Sequence, residues 1–167
     1  MKNYPLKVTL RSIQTQSNDL DFIYSTFIKS LQNQYPFRSK KILDLDDTSK
    51  TVRNGVDKSW FTASTHAMLT QLLNNCNVIM ATEPGDDDQI FGYIIYNNNV
   101  LHGIYSKFDF RNAGVGTRLM AEAFKGFKDQ TIEYTINTSA IRHLETKWKL
   151  RFNSYHLTKV DRGGNNE

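Results

Sequence analysis

Arg111-Asn112-Ala113-Gly114-Val115-Gly116 is the stretch of this chain whose residue types point most directly to chemistry. It lies where a strand-like run, Val100 to Ser106, gives way to an amphipathic run, Val115 to Lys128. Glycines let successive backbone N–H groups turn inward and approach an anion closely. The helix that follows adds N–H groups with no intrahelical acceptor and the positive end of its dipole. The expected ligand therefore bears phosphate and is held mainly by backbone.

Two common phosphate cradles are excluded by spacing. A dinucleotide fingerprint needs a third glycine, but Arg118-Leu119 occupy that neighbourhood, and no Gly-Lys-Ser/Thr tripeptide of a Walker loop occurs. The spacing Arg-x-x-Gly-x-Gly resembles motif A of the GNAT superfamily of N-acetyltransferases. The preceding residues, Ile104-Tyr105-Ser106-Lys107-Phe108-Asp109-Phe110-Arg111, are similar to that family's strand four and its turn into the motif. The resemblance covers residues 6–158 as an order of elements and is close over 78–127. The pattern of 78–127, with the late run Phe152-Asn153-Ser154-Tyr155, is also similar to small acetyltransferase-like proteins encoded by bacteriophages.

The resemblance implies an acyl-CoA-dependent N-acyltransferase. Acetyl would pass from acetyl-CoA, as co-substrate, to a primary amine by direct attack. The pyrophosphate would meet the N–H groups of Arg111, Asn112, Ala113, Gly114, Val115, Gly116 and Thr117, with Arg111 adding charge. Strand four would splay from strand five, so that backbone groups of Ile104 and Ser106 bind the pantetheine arm and the thioester.

Such a transfer needs a proton acceptor for the amine, polarisation of the carbonyl and a proton for the departing thiolate. His102 titrates near neutral pH. Strand alternation is expected to place it on the same face as Ile104 and Ser106, making it the first candidate base. Glu83, at the end of a strand, is the second, against the plainer reading of a cap on the Pro84-Gly85 turn. Many GNAT members carry a tyrosine within a Leu-Tyr-x-Lys-like run after strand five. Here the run is Leu144-Glu145-Thr146-Lys147, so Glu145 takes the tyrosine's place. Tyr155 then becomes the candidate acid, against a packing aromatic, and His143 an outside one.

The elements that must position these groups follow from periodicity. Leu6 to Ile13 alternates as a half-buried strand. Asn18 reads as the N-cap of a helix over 19–34, with Asp19 and Asp21 in its first turn. Trp60 to Asn74 is a second helix. Strands are expected at Val78 to Thr82, Ile90 to Tyr96 and Val100 to Ser106, forming an antiparallel meander through turns at 84–88 and 97–99. After the cradle helix come a strand over 131–137, a short helix marked by Ile141, Leu144 and Trp148, and a strand over 150–160. The order β-α-α-β-β-β-α-β-α-β predicts an α+β class, a GNAT-like mixed but mostly antiparallel sheet flanked by helices. A single domain over 1–160 is expected, with a disordered polar tail over 161–167. The segment Phe37 to Lys58 carries Lys40, Lys41, Lys50 and Arg53 beside Asp44, Asp46 and Asp47, and the GNAT resemblance implies that it borders the acceptor cleft.

Composition bounds the rest. The chain has 167 residues, 39% hydrophobic, with a formal charge of +4 and a pI of about 9.1. That bias favours acidic partners such as coenzyme A or nucleic acid. No apolar run reaches the roughly 20 residues of a membrane span, and the N-terminus lacks the apolar core of a signal peptide. One cysteine, Cys76, excludes an internal disulfide and fits a reducing cytoplasm, which is the host's if a phage encodes the chain. The four histidines lack metal-ligand spacing, so no metal is expected. The expected partners are acetyl-CoA and an amine-bearing small molecule, protein or nucleic acid, with the chain as a monomer or homodimer. The competing reading is a non-catalytic GNAT-like binding module acting on nucleic acid or a protein through a basic surface such as Phe37, Arg38, Lys40 and Lys41.

Overall fold

The structure is a computed structural model that describes residues 6–14, 18–32, 58–127 and 129–156. Its elements run β1 (Thr9–Ser12), α1 (Asp19–Gln32), α2 (Lys58–Asn75), β2 (Asn77–Glu83), β3 (Asp86–Asn97), β4 (Val100–Ser106), a 3-10 turn (Phe108–Phe110), α3 (Val115–Ala123), β5 (Ile132–Tyr134), α4 (Ser139–Leu144) and β6 (Leu150–Phe152). The six strands form one sheet in chain order. The pairings from β1 to β4 are antiparallel, whereas β4–β5 and β5–β6 are parallel. This is the α+β class and the order that periodicity predicts.

Alternation along the strands divides the apolar residues between two layers. On one face Ala81, Phe91, Ile94, Leu101, Ile132 and Tyr134 meet Leu119, Met120 and Phe124 of the α3 segment and Ile141 and Leu144 of α4. On the other, Val78, Met80, Ile90, Tyr93 and Ile95 meet Ile23, Phe27 and Leu31 of α1 and Phe61, Leu69 and Leu72 of α2. Ile23, Phe27 and Leu31 recur every four residues, which is why α1 buries one stripe. β3 is covered on both sides, so Ile90 to Ile95 is buried without a polar break.

Several expected boundaries shift for local reasons. β1 is four residues long, although Leu6, Val8 and Leu10 still pack against the α3 layer. The turn after β2 is only Pro84-Gly85, with Gly85 at φ 86°, and Asp86 to Asp88 already belong to β3. α3 ends at Ala123, short of Lys128. β6 stops at Phe152: Asn153 N–H makes the last ladder bond, to the Tyr134 carbonyl, and Tyr155-His156 enter a helical turn. Residues 33–57 and 157–167 lie outside the described residues, and with them the charged segment proposed for the acceptor cleft and the tail.

Arg11 corrects the reading of β1 as polar on alternate positions. Its guanidinium makes a two-point bond to buried Asp19 (Nη1–Oδ2 2.6 Å, Nη2–Oδ1 2.9 Å) and donates to the Asp87 carbonyl at 2.9 Å. Asp19 also accepts from Gln14 N–H. The bond to Asp19 raises the Arg11 pKa above its ordinary value. One ion pair thus ties β1, the start of α1 and the β2–β3 hairpin together.

Candidate active site at the fork of the sheet

β4 and β5 are paired only over the first two residues of β4 and the last two of β5. Val100 lies opposite Glu133 and Leu101 opposite Tyr134. Glu133 and Thr135 donate their N–H groups to the carbonyls of Asn99 and Leu101. Among the described residues no strand pairs with β4 on this side beyond that point, so the sheet forks.

What the fork exposes is decided by one residue. Against β3, Leu101 pairs with Tyr96 and Gly103 with Ile95, leaving His102 as an extra residue without a partner there. This is a β-bulge, and it resets the alternation of β4. Before it, Asn99 and Leu101 turn their carbonyls to β5. After it, Lys107 N–H donates to the Phe91 carbonyl at 2.8 Å. By two-residue steps Tyr105 and Gly103 also face β3, and the Tyr105 carbonyl comes so near Gly92 that a Cβ there would lie 2.3 Å from it. The main-chain groups of Ile104 and Ser106 therefore point to the open edge.

The cradle lies beside that edge. The 3-10 turn closes with Arg111 N–H on the Phe108 carbonyl, and Asn112 and Gly114 adopt φ 70° and 83°. Arg118 N–H makes the first bond of α3, to the Gly114 carbonyl, so the N–H groups of Val115, Gly116 and Thr117 precede the ladder. A Cβ on Gly116 would touch Ser106 Oγ at 3.7 Å and Ile104 Cδ1 at 3.8 Å, which places the helix start directly over the open strand. Arg111, Asn112 and Thr117 are exposed, and the Arg111 guanidinium rests 5.2 Å from the Phe108 ring centre. Of the N–H groups expected to grip the phosphates, those of Arg111 and Ala113 are already bonded to the Phe108 and Phe110 carbonyls, and those of Val115, Gly116 and Thr117 stand ahead of the ladder.

The expected acid–base residues are less well gathered. His102 does not share a face with Ile104 and Ser106. Leu101 and Ile104 pack with the α3 layer, whereas a Cβ on Gly103 would press against Phe27 of α1. The bulge puts His102 on the α1 side, where its Nδ1 meets Thr135 Oγ1 at 3.1 Å. The ring is 2% exposed. Burial, with a contribution from His156, lowers its pKa to about 4. Glu83 sits at the far end of β2, exposed and opposite Asp86, several residues in register from His102. Tyr155 is 58% exposed in the turn after β6, its N–H on Asn153 Oδ1 at 3.1 Å. Glu145 accepts from Tyr134 Oη at 2.8 Å, and His143 is exposed on α4.

Sequence reasoning missed a polar cluster beside His102. Glu133 of β5 is almost buried, and it receives Arg151 Nη2 on one oxygen and both Asn153 Nδ2 (2.9 Å) and His156 Nε2 on the other. Arg151 first, then Asn153, lowers its pKa to about 2. The only local signal was an acidic residue in an otherwise apolar strand. Among the described residues no group of three or more His, Cys, Asp or Glu is arranged to hold a metal, and no helix is long and apolar enough to cross a membrane.

No family model matches the sequence, and no curated protein matches it. Among solved structures, YjaB from Escherichia coli in its apo form aligns with a TM-score of 0.55 over 85% of this chain and 81% of its own, at 12% identity. A Pyrococcus furiosus protein described as a candidate acetyl transferase aligns over 96% and 95% with a TM-score of 0.48 and 11% identity. An acetyltransferase of the GNAT family from Staphylococcus aureus Mu50 aligns over 72% and 66% with a TM-score of 0.39 and 16% identity. At these identities the likeness concerns fold alone, a mixed and mostly antiparallel sheet flanked by helices, as the element order predicts.

Proposed function

We propose that the chain is an acyl-CoA-dependent N-acyltransferase, with acetyl-CoA as the donor and a primary amine as the acceptor. The carrying observation is the bulge at His102. It turns the main-chain groups of Ile104 and Ser106 to an open edge beside the unladdered N–H groups of Val115 to Thr117. An extended arm ending in a thioester fits the strand edge, as an added strand would, and a pyrophosphate fits the donor-rich helix start. Arg111 supplies exposed positive charge beside it. Coenzyme A has both parts in that order.

Calorimetry with coenzyme A tests the placement. Gly116→Ala is expected to bind like the wild type, because its methyl makes only ordinary contacts with Ser106 and Ile104. Gly116→Trp is expected to remain folded and to lose at least about 100-fold in affinity, its ring occupying the space above the N–H groups. Undiminished binding by Gly116→Trp places the cofactor elsewhere. Amine-dependent release of thiol from acetyl-CoA, assayed with small amines, peptides and aminated nucleic acids, then tests turnover.

A further inference from the structure

The fork has two imidazoles on its α1 side, and they are built for different tasks. His102 is sealed in, with Nδ1 occupied by Thr135 and burial opposing its charge. His156 has a side chain 26% exposed and bonds Glu133 through Nε2. We propose that, on the acyltransfer reading above, His156 is the proton acceptor for the incoming amine and Glu133 is the positioning residue that fixes its tautomer.

The argument rests on donor accounting. The Glu133 carboxylate is held ionised by Arg151 and Asn153, and an ionised carboxylate only accepts. Nε2 of His156 must therefore carry the hydrogen. The neutral ring then has its lone pair on Nδ1, the nitrogen not engaged by Glu133. A base whose second nitrogen is oriented by a carboxylate is a recurrent arrangement for proton removal. Among the described residues, the charged and titratable groups linked to His156 are Glu133 from β5, His102 from β4 and, through the shared Glu133 carboxylate, Arg151 from β6, with Asn153 as the polar neighbour on that carboxylate. Only Glu133 among them is negative, so it compensates the charge that His156 acquires. Partial exposure lets the proton pass on to water, which His102 lacks.

The step balances as follows. The ammonium gives one proton to His156 Nδ1, and the freed amine attacks the thioester carbon. As the C–N bond is completed the C–S bond breaks. The nitrogen gives its second proton to water, and the departing thiolate sulfur takes one from water, so the products are the amide, the thiol and the proton held on His156.

The test uses the full chain and three readouts. Long-range ¹⁵N spectra of the ligand-free protein are expected to show His156 as the Nε2–H tautomer, and a mixture of tautomers in Glu133→Gln. In amine-dependent thiol release, His156→Gln is expected to lower kcat by about 10²–10⁴-fold, with KM for acetyl-CoA unchanged and the acid limb of the pH profile lost. Glu133→Gln is expected to lower kcat less. Coenzyme A affinity should be unchanged in both. An Nδ1–H tautomer in the wild type overturns the proposal, and that spectrum decides even if Glu133→Gln fails to fold. Thiol release with wild-type kcat and pH profile in His156→Gln overturns this proposal alone. No thiol release by the wild type overturns the acyltransfer reading and this proposal with it.

Discussion

The cradle and the polar cluster flank the same fork, yet they are made of opposite materials. The cradle is backbone: two residues at positive φ, a helix start and a strand edge, with exposed side chains. The cluster is side chain: Glu133, His156, Arg151, Asn153, His102 and Thr135, drawn from three strands, the bend after β5 and the turn after β6. A site of backbone should resist loss of side chains and fail when obstructed. A site of side chains should respond to charge and pH. The contrast can be broken at several points.

The largest effect expected after Gly116→Trp is on the cluster's acid response. His102 has a folded pKa of about 4 against an ordinary 6.5. Below pH 6.5 the unfolded chain takes up a proton that the native state refuses, so stability falls as pH drops from 6.5 through about 4 and changes no further. The loss is on the order of 3 kcal/mol. His102→Asn, which keeps an acceptor near Thr135, should flatten that window in urea titrations while leaving pH 8 stability nearly unchanged. Glu133 acts lower. Its folded pKa of about 2 lies below the ordinary 4.5, so its stabilisation is present above pH 4.5 and is lost as pH falls through 2. Glu133→Gln should remove that second window only. If both variants keep the wild-type acid profile, the cluster is not electrostatically special.

The cradle predictions are smaller. Gly114 sits at φ 83° with open space around its missing Cβ, so Gly114→Val costs conformational strain and no clash. About 1–2 kcal/mol is expected, read as a drop in thermal midpoint. Arg111→Ala should be milder still. An exposed cation contributes up to about 1 kcal/mol, so coenzyme A binding should weaken less than about tenfold, and less at high salt. A complete loss of binding in Arg111→Ala would mean that charge, not backbone, makes the cradle.

The same contrast explains what the sequence reveals. Glycines at a strand-to-helix junction are a local signal, and every residue of the cradle is contiguous. The element order is likewise local, because hydrophobic period alone separates α1 and α2 from β2, β3 and β4. The face of His102 was misread because strict alternation was assumed, although Gly103 within a strand is itself a mark of a bulge. The Glu133 cluster was missed because its members meet across up to 33 residues. β5 lies between two strands, so its acidic position faces neighbours instead of water. The Arg11–Asp19 pair was not legible for the same reason: Asp19 reads only as an acidic residue in the first turn of α1 until Arg11 of β1 is brought to it.

The bulge at His102 also gives β4 one letter more than its frame requires. Deleting His102 closes the bulge and leaves Leu101 opposite Tyr96 and Gly103 opposite Ile95, so Gly103 and Tyr105 keep facing β3 and Ile104 and Ser106 keep the open edge. Straightening the strand with every residue kept does the reverse: the letters after His102 slip by one, and Ile104 and Ser106 turn to β3. The spare residue is therefore slack, and a relative of this chain that lacks one residue here is expected to keep its use of the fork while losing the buried imidazole and its bond to Thr135.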